Sequence, residues 1–251
     1  MILKKDLEVY LNDYLNVSEF TDLCPNGLQA SGSDNISKII TGVSASVALF
    51  EEAISEKANA VIVHHGIIWN FERPLYKGGY RERVKLLLNN NLNLFAYHLP
   101  LDAHPEIGNN ILLCEALKLT DVKPFGNDKG QYIGMQGACA PIPSQTFFEN
   151  IKKLVDRDLT LFPFGPENIS SVGIISGGAQ KYINQAVSEG LDAFITGEVS
   201  EHIMHYAREE QIHFISAGHY ATEKFGIMAL GDLIAEKFDV QVKYIDIPNP
   251  V

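Results

Sequence analysis

Apolar and polar positions along this chain follow two different patterns. Short runs of β-branched and other apolar residues are typical of buried strands, whereas apolar residues recurring every three or four positions are typical of amphipathic helices. The first pattern predicts strands at 38–43, 59–63, 92–97, 171–176, 192–196 and 212–216. The second predicts helices at 1–15, 45–57, 82–90, 108–118, 179–189, 200–210 and 222–238. Their alternation favours an α/β fold.

The two halves of the chain resemble each other. Two pairs of segments align without a gap: ISEKANAVIVHHG (54–66) with VSEGLDAFITGEV (187–199), and FAYHLPLD (95–102) with SAGHYATE (216–223). The alignment places three pairs of polar residues in register: His65 with Glu198, His98 with His219, and Asp102 with Glu223. Chance similarity over short windows is the alternative, but the shared element order favours an internal duplication.

The duplication predicts two α/β halves, residues 1–125 and 126–251, with mixed sheets and helices on the outside. The stretch 126–170 is richer in Gly and Pro and contains strand-like pieces such as YIGMQGACAPI. We therefore treat 126–170 as an extra strand-rich insertion, which would cover a cleft or carry an oligomer contact.

The predicted strands end in polar side chains that could bind a metal. In VIVHHG (61–66), a buried strand runs directly into two histidines. Neighbouring strand side chains point to opposite faces, so the two histidines cannot both be core filler. At least one must do something else, unless the strand has already ended and both turn into a cleft. Because ligands bind at the carboxyl ends of parallel strands, we expect one group of polar residues there: His64, His65, His98, Asp102, Glu198, His219 and Glu223.

Imidazole and carboxylate are the usual ligands of divalent transition metals, and this group is larger than one ion needs. A dinuclear site in the cleft between the halves is therefore plausible. His219 and Glu223 would share a face if Glu223 already lies in a helical turn. The alternative is that these histidines are structural. His202, His205 and His213 are interpreted as surface or packing residues, and His104 is left undecided.

Charge and cysteine content exclude several classes of protein. The formal net charge of −11 disfavours a general nucleic-acid binder. Cys24, Cys114 and Cys139 form no CxxC pair, which predicts reduced thiols in a cytoplasmic protein. The sequence shows neither a signal peptide nor a membrane-spanning apolar run. The turn SGGA (176–179) could meet an anion, although a tight strand-to-helix turn is favoured.

Five motifs together resemble the NIF-three-like family, whose bacterial members are often labelled GTP cyclohydrolase I type 2 homologues: NGLQ (26–29), VIVHHGIIW (61–69), YHLPLD (97–102), TGE (196–198) and GHYATE (218–223). The resemblance covers nearly the full chain. It implies a duplicated α/β fold, a ring-shaped homohexamer and two divalent ions per chain, with Zn, Fe or Mn as candidates. The implied metal ligands are His64, His65, Asp102, His219 and Glu223, and we take Glu223 as the bridging ligand, as a hypothesis.

Three functions follow as hypotheses. The first is a dinuclear-metal hydrolase that acts on a nucleotide-like or other small polar substrate through a metal-bound hydroxide. His98 or Glu198 would then be the catalytic proton-transfer group. The second is a non-enzymatic metal-binding adaptor or regulatory ring. The third is DNA binding in the ring lumen through lysines such as Lys77, Lys123 and Lys129, against the unfavourable net charge.

Overall fold

The computed structural model describes residues 1–73 and 75–251. Within them the strands are β1 (Ile2–Leu3), β2 (Gly27–Ala30), β3 (Asn35–Ile36), β4 (Lys38–Ser44), β5 (Ala60–His65), β6 (Asn93–Ala96), β7 (Thr120–Asp128), β8 (Gln131–Pro143), β9 (Thr160–Pro163), β10 (Asn168–Ile174), β11 (Ala193–Thr196), β12 (His213–Ser216) and β13 (Gln241–Tyr244). The helices are α1 (Lys4–Tyr14), α2 (Val47–Ser55), α3 (Gly78–Asn89), α4 (Leu99–Asp102), α5 (Asn109–Ala116), α6 (Ser144–Val155), α7 (Ile183–Ser188), α8 (Ile203–Glu209) and α9 (His219–Lys237). Short 3-10 turns lie at Val17–Glu19 and Gln180–Tyr182.

All six predicted strands and all seven predicted helices are confirmed, with shifted ends. The largest shift that affects a candidate residue is at α9, which begins at His219 rather than at 222. The sequence analysis did not assign the short strands β1, β2, β3, β9 and β13. Strands of two to four residues are too short for an alternating pattern to show, and β2, β9 and β13 lie at sheet edges.

The chain divides into two compact units, and the first consists of residues 1–101 and 226–248. Its main sheet has the order β13-β4-β5-β6-β2, in which β13, β4, β5 and β6 are parallel and β2 is antiparallel to β6. Leu49, Phe50 and Ala53 of α2 pack on this sheet, and Ser46 caps α2 by accepting a hydrogen bond from Leu49 N. Their burial holds α2 in place, and with it the loops around β4 and β5.

The second unit consists of residues 102–225 and 249–251. Its sheet has the order β7-β8-β10-β11-β12-β9, with a parallel centre of β10, β11 and β12. The remaining pairings are antiparallel. Phe147, Phe148 and Ile151 of α6 belong to its buried core, as the spacing of apolar residues on an amphipathic helix requires.

Each unit contains three parallel strands that are neighbours in chain order and are joined through helical segments. β5 begins at Ala60 and β11 at Ala193, two residues that the sequence alignment had paired. The mixed α/β class is therefore confirmed. The chain passes from the first unit to the second after Leu101 and returns to the first after Phe225. The boundary predicted from sequence lies at 125/126. That boundary, and the role of 126–170, stay predictions, although β8 does cover the strand-like piece identified there.

Two further features bear on the expectations from sequence. The three cysteines are all described, and none forms a disulfide. Among the described helices, none combines the length and the apolar character needed to cross a membrane.

Candidate functional site

β5 ends in two histidines whose rings converge. His64 and His65 both belong to the strand, yet their ring centroids lie only 4.6 Å apart. The two rings therefore lie side by side although β5 continues through both residues. The ladder between β5 and β6 stops at Val63, so the last two residues of β5 are no longer held flat by a neighbour on that side.

His98 joins these two rings in the first unit. Its centroid lies 5.1 Å from that of His64 and 5.6 Å from that of His65. One ring nitrogen from each of the three lies within 4.8 Å of the others, a spacing that suits one metal ion. His64 is fully buried, and His65 and His98 are partly buried.

In each of these histidines Nδ1 is engaged by a neighbouring protein group. Nδ1 of His64 lies 2.9 Å from the carbonyl oxygen of Tyr97, and Nδ1 of His65 lies 3.2 Å from Ser44 Oγ. A carbonyl oxygen only accepts, so His64 carries its hydrogen on Nδ1. Such partners orient the rings, and in His64 they put the lone pair that a metal could use on Nε2.

His98 is held by residues near the N-terminus. Its Nδ1 lies 2.7 Å from Asp22 Oδ1, and its backbone N–H donates to Asn26 Oδ1 at 2.7 Å. Trp69 packs edge-on against the His98 ring, with centroids 5.3 Å apart. The Trp69 ring also lies beside that of Phe71, which is largely exposed. Asp22 and Asn26 were not predicted as functional residues; NGLQ (26–29) was noted only as part of the family resemblance.

Gln29 packs against Gly66, the residue that follows the end of β5. Gln29 Oε1 accepts a hydrogen bond from Ile67 N at 2.8 Å, and Gln29 Nε2 donates to Pro25 O at 2.9 Å. A Cβ on Gly66 would lie 2.2 Å from Gln29 Oε1, so only glycine leaves room for this side chain. Gln29 thereby ties the loop before β2 to the segment after the two histidines.

In the second unit, His219 lies between two carboxylates. Its Nδ1 is 2.6 Å from Glu198 Oε1, and its Nε2 is 3.1 Å from Glu223 Oε2. Because α9 starts at His219, Glu223 follows one turn later on the same face, as the sequence analysis had supposed. Burial acts to lower the pKa of His219, but the hydrogen bonds and charges of Glu223 and Glu198 outweigh it and raise the pKa to about 9.

Asp102 is buried in the second unit and oriented by amide and hydroxyl groups. Its Oδ1 accepts from Asn109 Nδ2 at 2.8 Å and from Ser176 Oγ at 2.9 Å. Asn110 donates to the backbone oxygen of Asp102 and accepts from Ser176 N. The sequence analysis missed Ser176, Asn109 and Asn110; a serine in a glycine turn and an Asn pair at a helix start carry no specific signal.

The SGGA turn packs against Glu223. Gly177 has a φ of +67°, and a Cβ there would lie 2.1 Å from Glu223 Oε1. Its N–H donates to Thr222 Oγ1 and its carbonyl accepts from Gly197 N. Since protein groups already use these backbone atoms, the turn interpretation is favoured over anion binding.

The remaining histidines are placed differently. His213 is buried within β12, where Nδ1 accepts from Gly165 N and Nε2 donates to Pro166 O. Its role as a packing residue is therefore supported by its contacts. His104 is buried, with Nδ1 accepting from Glu106 N and Ile107 N, which indicates a structural role. His202 and His205 are exposed, on or next to α8.

The chemistry of these donors fits divalent transition metals. The first unit brings together His64, His65 and the predicted proton-transfer residue His98, and the second brings together His219, Glu223 and Glu198. Imidazoles whose second nitrogen is anchored, together with buried carboxylates, form a donor set that Zn, Fe and Mn accept. The complete set of five ligands and the number of ions stay predictions.

The chain matches a known family model over residues 2–250, that of DUF34/NIF3 (NGG1p interacting factor 3). The chain belongs to the DUF34/NIF3 family. The resemblance proposed from the five motifs is thus confirmed. Relatives named "GTP cyclohydrolase 1 type 2 homolog" are 46% identical in Pasteurella multocida and in Haemophilus influenzae, in each case over 98% of both chains. The relative of that name in Escherichia coli K12 is 44% identical, also over 98% of both chains.

Several solved structures have the same fold as this chain. The protein ybgI, described as of unknown function, has a TM-score of 0.93 at 43% identity over all of both chains. TTHA1606 from Thermus thermophilus has a TM-score of 0.92 at 30% identity, again over all of both chains. HcgD from Methanocaldococcus jannaschii shares the fold alone, at 21% identity and a TM-score of 0.85 over 98% of each chain.

Proposed function

We propose that this chain is a hydrolase that depends on two divalent metal ions and acts on a nucleotide-like or other small polar substrate. The three imidazoles of the first unit carry this proposal, because each has its Nδ1 engaged and its ring beside the other two. A histidine that only fills a core needs no such common arrangement.

The ligands we assign are His64 and His65 from the first unit and Asp102, His219 and Glu223 from the second, with Glu223 as the bridging group. Asp102 and Glu223 are almost fully buried carboxylates. Carboxylate oxygens are common ligands of divalent transition metals, and burial keeps these two carboxylates out of bulk water. Ions bound there would act as Lewis acids that polarise the substrate and make a nearby water more acidic.

Protein residues would supply the remaining steps. His98 is not among the five ligands, and it is the group we assign to take the proton from the attacking water and return it to the leaving group. Glu198 contacts Nδ1 of His219, so we assign it to orienting that ring rather than to proton transfer. Trp69 packs at a right angle to the His98 ring and would limit the access of bulk water to it.

The names of the relatives suggest a first substrate to test. A GTP cyclohydrolase opens the imidazole ring of the purine by adding water at C8, which needs both an activated water and a proton-transfer group. The proposed site would provide both. GTP therefore comes first in a hydrolase panel, followed by other nucleotides and small polar esters and amides.

The decisive experiment measures metal content per chain by elemental analysis, followed by turnover with and without added metal. Wild-type protein is expected to hold about two ions per chain, as a dinuclear site requires. His65→Ala and Glu223→Gln are expected to lower that content and abolish metal-dependent turnover. His202→Ala and Glu209→Gln change the same residue types at exposed positions and should leave both unchanged.

Metal content near zero after reconstitution would overturn the proposed site. Two ions without turnover on the whole panel would instead favour the non-enzymatic alternative, a metal-binding adaptor or regulatory ring. The homohexamer itself is proposed from the family resemblance, and light scattering coupled to size-exclusion chromatography tests it.

A further inference from the structure

The carboxylate of Asp22 is surrounded by hydrogen-bond donors. Oδ1 accepts from Leu23 N at 2.6 Å and faces Nδ1 of His98 at 2.7 Å. Oδ2 accepts from Leu99 N at 3.0 Å and from Asn26 Nδ2 at 2.9 Å. The side chain is only 2% exposed, so these donors take the place of water.

These contacts keep Asp22 ionised. Burial acts to raise the pKa of this carboxyl, but hydrogen bonds from His98, Asn26 and Leu99, and the charge of His98 when it is protonated, lower it below its ordinary value. An ionised carboxylate can only accept, so the hydrogen between Asp22 and His98 sits on Nδ1 of the imidazole. The lone pair of the neutral ring is then on Nε2, the nitrogen remote from Asp22.

We propose that Asp22 is a positioning residue that fixes His98 as the Nδ1–H tautomer and aims its Nε2 at the reacting groups. Asn26 completes this arrangement, since it holds both the Asp22 carboxylate and the backbone N–H of His98. The inference rests on the proposed function in one respect, namely that His98 transfers the proton. The tautomer itself can be measured whether or not the protein turns over any substrate.

A second role for Asp22, as part of a separate metal site, fits the contacts less well. Ligand atoms of Asp22, Cys24 and His98 lie within 4.8 Å of one another. However, both carboxylate oxygens of Asp22 already accept hydrogen bonds from N–H groups, and a metal would have to displace several of them. The geometry is that of a carboxylate that orients a histidine.

Asp22→Asn is a sharp test because the surrounding donors dictate how the new amide must lie. Two N–H donors face the Oδ2 position, from Leu99 and Asn26, and one backbone N–H faces the Oδ1 position, from Leu23. The amide oxygen is therefore favoured at Oδ2 and the NH₂ group at Oδ1. That NH₂ group would donate to His98 Nδ1 and force the imidazole hydrogen onto Nε2, the wrong tautomer for a base acting through Nε2.

The measurement is ¹H–¹⁵N NMR of the histidine rings in full-length protein, both metal-free and loaded with diamagnetic zinc. His98→Gln identifies the signals of His98 by their loss. His213 and His104 act as internal references, because their contacts require the opposite tautomer, with the hydrogen on Nε2. Asp192→Asn is the matched control, since Asp192 accepts hydrogen bonds from the backbone N–H groups of Ser170 and Ser171.

We expect His98 to be the Nδ1–H tautomer in wild type and in Asp192→Asn, and mainly the Nε2–H tautomer in Asp22→Asn. The zinc content should be the same in all three, because Asp22 is not a ligand. A wild-type His98 with its hydrogen on Nε2, or an Asp22→Asn variant with an unchanged tautomer, would overturn the inference. A purely structural role for Asp22 would lower thermal stability without moving the hydrogen. Failure of the proposed function would show separately, as zinc-free protein or absent turnover.

Discussion

His98 and His219 occupy equivalent positions in the two repeats but have different surroundings. Both follow the third parallel strand of their unit, and both have a carboxylate on Nδ1: Asp22 on His98 and Glu198 on His219. The other neighbours differ. The imidazoles of His64 and His65 lie beside the ring of His98, whereas Nε2 of His219 lies against the carboxylate of Glu223.

The two imidazoles therefore differ in the number of carboxylates that contact them. Two carboxylates raise the pKa of His219 to about 9, so without a metal it is an imidazolium at neutral pH. It must lose a proton to become a metal ligand. His98 has one buried carboxylate and no acid at the other nitrogen in its own unit, among the described contacts. The two units thus contain similarly placed histidines, and their neighbours agree with the proposal that His219 binds a metal and His98 transfers a proton.

The largest expected effect is a loss of zinc affinity when the turn at 176–179, which contacts Glu223, is changed. Gly177→Ala would place a Cβ 2.1 Å from Glu223 Oε1 and displace that carboxylate. If Glu223 is a ligand, zinc affinity in a competition titration should fall by about 10- to 100-fold. Gly190→Ala is the matched control, because Gly190 has nearly the same φ, +68°, and has nothing within 4 Å. Both should lose about 1 kcal/mol of unfolding free energy to backbone strain, but only Gly177→Ala should lose zinc. Equal zinc affinity in the two would argue against Glu223 as a ligand.

Ser176→Ala tests how the second unit holds Asp102. It removes the hydroxyl donor to Asp102 Oδ1, and a hydrogen bond to a charged group is worth about 2 kcal/mol. Chemical denaturation should show a loss of that size. Ser188→Ala removes an exposed serine hydroxyl bonded to Gln185 O and should change stability by less than about 0.5 kcal/mol. A loss no larger than this control would mean that the Ser176 hydroxyl does not help to hold the carboxylate.

Gly66→Ala tests the contact between Gly66 and Gln29 in the first unit. The added Cβ would displace Gln29, which accepts from Ile67 N, and the loss of one neutral hydrogen bond costs about 1 kcal/mol. Gly79→Ala provides the contrast, since it adds a Cβ in open space inside α3 and should stabilise that helix by up to about 1 kcal/mol. Equal denaturation midpoints for the two variants would contradict this role of Gln29.

The smallest expected effect is on the pH dependence of stability, and it involves His213, which lies outside the candidate site. Burial lowers the pKa of His213, while the carbonyl of Pro166 and the charge of Asp192 act in the opposite direction. The unfolded chain therefore binds a proton at a higher pH than the folded one. The contribution of His213 to the free energy of unfolding is complete above the pKa of the unfolded chain, about 6.5. It is lost as the pH falls through that value toward the lower pKa of the folded protein. Denaturation at pH 7.5 and 5.5 should show a smaller pH dependence for His213→Asn than for wild type or for the exposed His202→Asn. Equal dependence in all three would show that His213 is not responsible.

Much of the fold could be predicted because strands and helices leave local periodic patterns. The alternation of apolar runs identified β4, β5 and β6 and their counterparts β10, β11 and β12. The alignment of the halves anticipated that His98 and His219 would be equivalent. The helical spacing also placed His219 and Glu223 on one face, a contact that the structure contains. Short edge strands could not be found in this way, because their pairing depends on a distant neighbour rather than on their own pattern.

The sequence by itself determined which chemistry-bearing residues stand at the ends of the strands, because strand period and residue type are local properties. Tertiary structure alone decided what each of them touches. Asp22 meets His98 across 76 residues of chain, and Ser176 meets Asp102 across 74. Nothing in either segment specifies its distant partner, since such contacts arise only when the packing of the sheets brings separate loops together. The tautomer of one histidine and the orientation of one buried carboxylate therefore depend on the folded core, not on the motifs that revealed the family.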